Sequence, residues 1–198
     1  KVTASREKVN VLLQEIASPF IVQASLKDID LSIGSNLQDD YSHTLDKEHF
    51  QTILNNLLSN AIKHSPKDSE ILLKSKMRGS NLLIQVVDNG PGINQSEISK
   101  IFNPYFQTAE GEKAGGFGIG LSLSKQLAII MDGELYVTSV PNEHTTFDLE
   151  LPPLQESKSK EAGLTASFSE SVSNINFGSR PNLLVVDDQP EMVNYLES

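Results

Sequence analysis

Three short stretches carry residue types that could do chemistry. The first, "NLLSNAIKHS", holds Asn56, Asn60, Lys63 and His64 at offsets that place them together on one side of a helix. Asparagine is a mediocre helix former. Its side-chain carbonyl is a hard oxygen donor of the kind Mg²⁺ accepts alongside waters and phosphate oxygens, and a lysine one turn on could meet a phosphate. A plain solvated helix face fits the same residues. The second stretch, Asp88-Asn89-Gly90-Pro91-Gly92, follows an apolar strand-like run. It reads as an ordinary turn, or as a carboxylate at a strand end accepting a hydrogen bond from the exocyclic amine of a base that lies over the glycines. The third, "AGGFGIGLSLSKQL" (Ala114 to Leu127), crowds glycines ahead of a helix start, where backbone N–H groups can approach an anion. It departs from both common phosphate loops. Leu121 stands where the nucleoside-triphosphate loop needs lysine, and again where the dinucleotide fingerprint needs its third glycine.

The elements that must hold these residues are legible from periodicity. Val9, Leu12, Leu13 and Ile16 recur at helical spacing in "REKVNVLLQEI", and Ser18-Pro19 predicts a kink or a restart with Ser18 as N-cap. "DIDLSI" alternates like a strand. Phe50, Ile53, Leu54, Leu57, Leu58, Ala61 and Ile62 form one apolar stripe, so the helix carrying Asn56 to His64 is the strongest in the chain, ended by Ser65-Pro66. "EILLKSK" and "NLLIQVVD" predict a hairpin across Arg78-Gly79-Ser80. A short helix begins in "NQSEISKIF" with Asn94 or Ser96 as cap, and a polar segment runs from Asn103 to Phe117. A helix from about Ile119 to Met131 precedes a second hairpin, "GELYVTSV" with "TTFDLELP". After Pro152-Pro153 the chain turns serine-rich and aperiodic, which reads as a linker. Beyond Arg180-Pro181, "NLLVVDDQPEMVNYLES" looks like a buried strand, an acidic turn and a helix start.

Composition bounds the function. In 198 residues, 26 acidic against 16 basic side chains give a net charge of −10, which argues against general nucleic-acid backbone binding. There is no cysteine, hence no disulfide and no thiolate metal site. No membrane-span or signal-peptide pattern is present. The chain opens and stops mid-pattern, as an excised piece would.

"NLLSNAIKHS", "DNGPGI", "IFNPYFQ" and "GGFGIGLSL" occur in that order within about seventy residues. Together they resemble the N, G1, F and G2 boxes of the catalytic ATP-binding domain of sensor histidine kinases, and the similarity runs from about Glu15 to Pro152. The resemblance implies an α/β fold: a two-layer sandwich of the Bergerat type, with a mixed sheet, about three helices on one face and a mobile ATP lid. It implies ATP and Mg²⁺ as cofactors, with Asn60 as the metal ligand and Asn56 its neighbour one turn earlier. Lys63 resembles the phosphate-contacting lysine, and His64 lies near the adenine. Asp88 resembles the adenine-reading carboxylate, with Gly90, Gly92 and Ile93 beneath the base. Phe102 and Phe106 resemble the F-box aromatics. Gly116, Phe117, Gly118, Ile119, Gly120 and Leu121 resemble the lid hinge and phosphate-facing helix start, and Thr146 completes the expected ATP-binding set.

Two departures stand out. Gln107 occupies a position where many members carry arginine or lysine, leaving Lys113 as the nearby substitute. His144 stands where a glycine is favoured. Related gyrase, mismatch-repair and chaperone ATPases place a water-activating glutamate one turn before the metal-binding asparagine. Asn56 stands there instead, which disfavours hydrolysis and favours phosphoryl transfer to a protein acceptor. His43, His49, His64 and His144 all lack the context of the phosphoacceptor histidine, which in such kinases belongs to an upstream dimerisation domain. The domains expected are residues 1–17 as the exit from that region, 18–153 as the catalytic domain, 154–180 as linker and 181–198 as the start of a receiver domain. Asp187 and Asp188 resemble the receiver's Mg²⁺-binding pair. The parent expected is a homodimeric hybrid kinase, cytoplasmic in this part and a candidate for membrane anchoring, and the isolated piece is expected to be a monomer.

Overall fold

The computed structural model describes residues 2–107 and 117–154. Lys113 and Gly116, the serine-rich linker beyond residue 154, and Asp187 with Asp188 lie outside the described residues. No helix among those described is long and apolar enough to cross a membrane.

Five strands form one mixed sheet: β2 (Asp30–Ser35), β4 (Glu70–Arg78), β5 (Asn81–Asp88), β6 (Glu134–Val140) and β7 (His144–Leu151). Their order is β2-β4-β5-β7-β6. The β2–β4 pair is parallel and the other three are antiparallel. Gly79, at φ +63°, turns the β4–β5 hairpin in the left-handed conformation glycine adopts without penalty. Strand alternation sends Ile71 and Leu73 of β4, Leu82, Ile84 and Val86 of β5, and Leu149 and Leu151 of β7 into the core. Three longer helices complete that core: α1 (Val9–Ser25), α2 (Lys47–His64) and α4 (Gly120–Ile130). A short helix, α3 (Gln95–Ile98), starts at Asn94, whose amide bonds Glu97 rather than capping the backbone. The α/β sandwich is as expected.

α2 is built as its stripe predicts. All seven apolar residues from Phe50 to Ile62 are buried, and the chain leaves the helix at Ser65 in extended backbone ahead of Pro66. Two departures lie near the N-terminus. Residues 4–8 form β1 (Ala4–Lys8) rather than a helical turn, because they pair antiparallel with β3 (Ser42–Asp46), a partner some forty residues away. α1 also runs unbroken through Pro19, and Ser18 caps nothing. Leu12, Leu13, Ile16 and Ala17 before the proline and Ala24 after it are buried, while Pro19 lies on the exposed face. Burial on both sides offsets the lost hydrogen bond. Residues 17 and 18 both lie within α1, and Val9, Leu12, Leu13, Ile16 and Ala17 before that point are buried.

Asp46 joins these pieces. It is the N-cap of α2, accepting from His49 N–H at 2.9 Å, and its other oxygen accepts from Thr3 N–H at 2.6 Å. Asp46→Ala removes both bonds from a buried position. The expected loss is about 1–2 kcal/mol of unfolding free energy, read as a lower urea midpoint at unchanged m-value.

Candidate functional site

A cavity of about 570 Å³ opens between the C-terminal half of α2, the loop after β5, the start of α4 and the β6–β7 hairpin. That volume suits a nucleotide-sized ligand. Asn60, Lys63 and His64 reach it from the last turns of α2, on the flank of the buried stripe, whose Ala61 also lines the cavity. Asp88 enters from the end of β5. Gly92, Ile93, Phe106, Gln107, Phe117, Gly118, Ile119, Gly120 and Leu121 complete the part anticipated from sequence.

Asp88 is only 5 % exposed because it shares the inward parity of Leu82, Ile84 and Val86. Burial pushes its carboxyl up from 3.8 to about 6. The Gly90 N–H, donating to Oδ1 at 3.0 Å, and the charge of His144 pull it partly back. Gly90 is required by this packing, since a Cβ there would lie 2.7 Å from that same oxygen and 3.2 Å from the His64 carbonyl. Gly92, at φ +69°, backs directly onto the Val140 carbonyl and Pro141.

Gly118, just ahead of α4, is held by close approach. Gly118, at φ +67°, leaves no room for a side chain against Tyr105 and Phe106, and Tyr105 N–H donates to the Gly118 carbonyl at 2.9 Å. The two ends of segment 107–117 are therefore tied together at its base. α4 starts without a side-chain cap, so its first N–H groups are available at the cavity edge beside Gly120 and Leu121.

Four expected residues stand elsewhere. Asn56 does not line the cavity: its Nδ2 donates to Ser124 Oγ at 3.2 Å and to the Gly120 carbonyl at 3.4 Å, so it ties α2 to the start of α4. Gly90 does not line the cavity and packs against the Asp88 carboxylate. Phe102 packs against the core with Lys125 Nζ 5.4 Å from its ring centre. Thr146 has the wrong parity on β7. Thr145, paired across from Asp88, is buried and lines the cavity in its place. Ser59, Asn94, Glu97, Ile101, Pro141, Asn142 and Phe147 also line it and were not anticipated. Strand alternation from Phe147 was the available signal for Thr145; the others are brought in by loop packing.

No cluster of three or more His, Cys, Asp or Glu suited to a metal occurs among the described residues. A divalent cation here would need oxygens from its ligand beside the Asn60 carbonyl. The Asn60 amide makes no hydrogen bond among the described residues, unlike that of Asn56, so its donor set fits such a shared ion.

Fold and cavity together place the chain in a class of α/β nucleotide-binding domains. It belongs to the family described as Histidine kinase-, DNA gyrase B-, and HSP90-like ATPase, whose profile matches residues 45–155. Within that family it is a catalytic ATP-binding domain of the histidine kinase type. It is 30% identical over 186 residues to the sensor protein EvgS of Escherichia coli O157:H7, covering 92% of this chain and 15% of that protein. It is 34% identical over 142 residues to the alginate biosynthesis sensor protein KinB of Pseudomonas aeruginosa (71% and 23%). It is 36% identical over 152 residues to the sensor-like histidine kinase SenX3 of Mycobacterium tuberculosis (75% and 36%). The chain thus spans between 15% and 36% of these relatives' lengths. In structure it resembles the catalytic domain of the histidine kinase ThkA, with a TM-score of 0.69 at 23% identity, over 77% of this chain and 97% of that one.

The raised carboxyl sets a pH dependence. Folded Asp88 holds its proton up to about 6 and the unfolded chain only to 3.8. Its contribution to stability is therefore complete below 3.8 and is lost as pH rises through 6, a swing of about 3 kcal/mol at 1.36 kcal/mol per unit. Asp88→Asn does not titrate. Its stability relative to wild type rises by about 2–3 kcal/mol between pH 4 and pH 7.5, measured by urea denaturation at both values.

Proposed function

We propose that the cavity binds ATP with Mg²⁺ and presents the γ-phosphate for transfer to a histidine on an upstream dimerisation domain of the parent protein. The observation that carries this reading is the convergence of a buried carboxylate, Asp88, with Asn60, Lys63 and the uncapped start of α4 around one cavity. Asp88 accepts from the adenine amine, and Gly92, Ile93 and Thr145 form the surrounding wall. Lys63 and the N–H groups at Gly120 and Leu121 face the phosphates. Asn60 holds the Mg²⁺ together with phosphate oxygens; the ion, when bound, neutralises charge on the transferring group.

Asn56 supports transfer over hydrolysis. It is an amide engaged with α4, and an amide cannot serve as the base that activates water. Gln107 on the cavity wall, without a cation's charge, favours a second reading in which the domain senses nucleotide and regulates a partner. The hybrid architecture, with a receiver domain beginning near residue 181, rests on the resemblance of "NLLVVDDQPEMVNYL", with Asp187 and Asp188, to the first strand and acidic pair of a receiver. The parent is read as a homodimer with this domain in the cytoplasm.

Calorimetric titration tests the site. Asp88→Ala abolishes ATP binding, whereas Asn60→Ala retains it and loses its Mg²⁺ dependence. Unchanged affinity in Asp88→Ala breaks the assignment of the base site. Transfer is tested separately with γ-labelled ATP: this chain alone takes up no label on histidine, and label appears on the parent's dimerisation helices when they are added in trans. Tight ATP binding with no transfer in trans selects the sensing reading.

A further inference from the structure

Where the loop after β5 meets the β6–β7 hairpin, one hydroxyl lies among three partners. Ser139 Oγ accepts from the Ile93 N–H at 2.9 Å, donates to the His144 carbonyl at 2.9 Å, and lies 3.0 Å from Thr145 Oγ1. A serine hydroxyl has one proton and two lone pairs. The Ile93 amide can only donate and the His144 carbonyl can only accept. The single proton therefore goes to His144, and Thr145 must donate to Ser139. One arrangement satisfies every contact, and it fixes the direction of the Thr145 hydroxyl.

Ser139 is not itself among the residues lining the cavity, yet two of its partners, Ile93 and Thr145, are. Thr145 sits directly across from Asp88 in the β5–β7 ladder. The rest of the joint is largely backbone. Asn142 N–H donates to the Pro91 carbonyl at 2.7 Å, and Gly92 lies against Val140 and Pro141. Ser139 thus supplies a side-chain tie between the two walls that flank the buried carboxylate.

We propose that Ser139 is a positioning residue for the base end of the nucleotide site, acting through Ile93 and Thr145; this rests on reading the cavity as an adenine-nucleotide site. Without its hydroxyl the Ile93 amide loses its acceptor and Thr145 is free to rotate beside Asp88. The loss falls on the base, which ATP and ADP share, and not on the γ-phosphate that distinguishes them.

The test is calorimetric titration of the wild-type chain, Ser139→Ala and Ser139→Thr with ATP and with ADP in the presence of Mg²⁺, beside amide exchange at Ile93. Ser139→Ala is expected to weaken both nucleotides by about tenfold, equivalent to about 1.4 kcal/mol, with the ratio of the two affinities unchanged. Exchange at Ile93 accelerates, and Ser139→Thr, which keeps the hydroxyl, restores both readouts. Should alanine destabilise the fold, Ser139→Cys gives the same comparison, because a thiol is a weak donor and acceptor. Wild-type affinity in Ser139→Ala, weakening confined to ATP, or failure of Ser139→Thr to rescue overturns the inference while leaving the nucleotide site intact. A wild-type chain that binds neither nucleotide overturns the reading of the cavity and this inference with it.

Discussion

α2 packs seven apolar side chains against α1, α4 and the sheet, and none of them is more than 3 % exposed. At 3.6 residues per turn, that seam leaves one orientation for the other face. Asn60, Lys63 and His64 are consequently held toward the cavity by the same packing that stabilises the domain. Turning the helix enough to remove them would expose Leu57, Leu58 and Ile62, at a cost of roughly 1.5–3 kcal/mol for each side chain. The backbone that carries the polar wall of the site is thus fixed by the core behind it. The Asp46 cap fixes the far end of the helix, and the tie from Asn56 to the start of α4 couples it to a second wall of the cavity.

Asp88 is placed by a second rule of the same kind. Strand alternation gives it the parity of the core residues before it, so the end of β5 buries a carboxylate where an apolar side chain would otherwise lie. Burial makes the charged form costly, and the Gly90 amide offsets only part of that cost. A buried acceptor with limited internal satisfaction is suited to a ligand that brings a donor. The site accepts a local penalty in the free domain that binding can relieve.

Much of this was readable in the residues. The stripe on α2, both hairpins and the positions of Asn60, Lys63 and Asp88 follow from periodicity and turn chemistry. The misreadings share a cause. β1 became a strand because β3 lies beside it, and α1 passed through Pro19 because its buried residues anchor both sides. Asn56, from its place on the helix face, and Phe102, from the family resemblance, were expected beside the ligand; Asn56 bonds Ser124 and Gly120, and Phe102 packs against the core beside Lys125. Each outcome was set by a neighbour distant in sequence.

The sequence by itself determined the order of the elements and the types of group gathered at the site, because helix and strand periods and turn residues are local properties, and its four ordered motifs carried the resemblance that implied the class of fold. Tertiary structure alone decided which of two asparagines on α2 is left open to the cavity. It also placed the β6–β7 hairpin as a wall of the site. The physical reason is that strand register and helix docking are fixed by burial across the whole domain. A single residue of register or one turn of helix exchanges a ligand-facing side chain for a structural one.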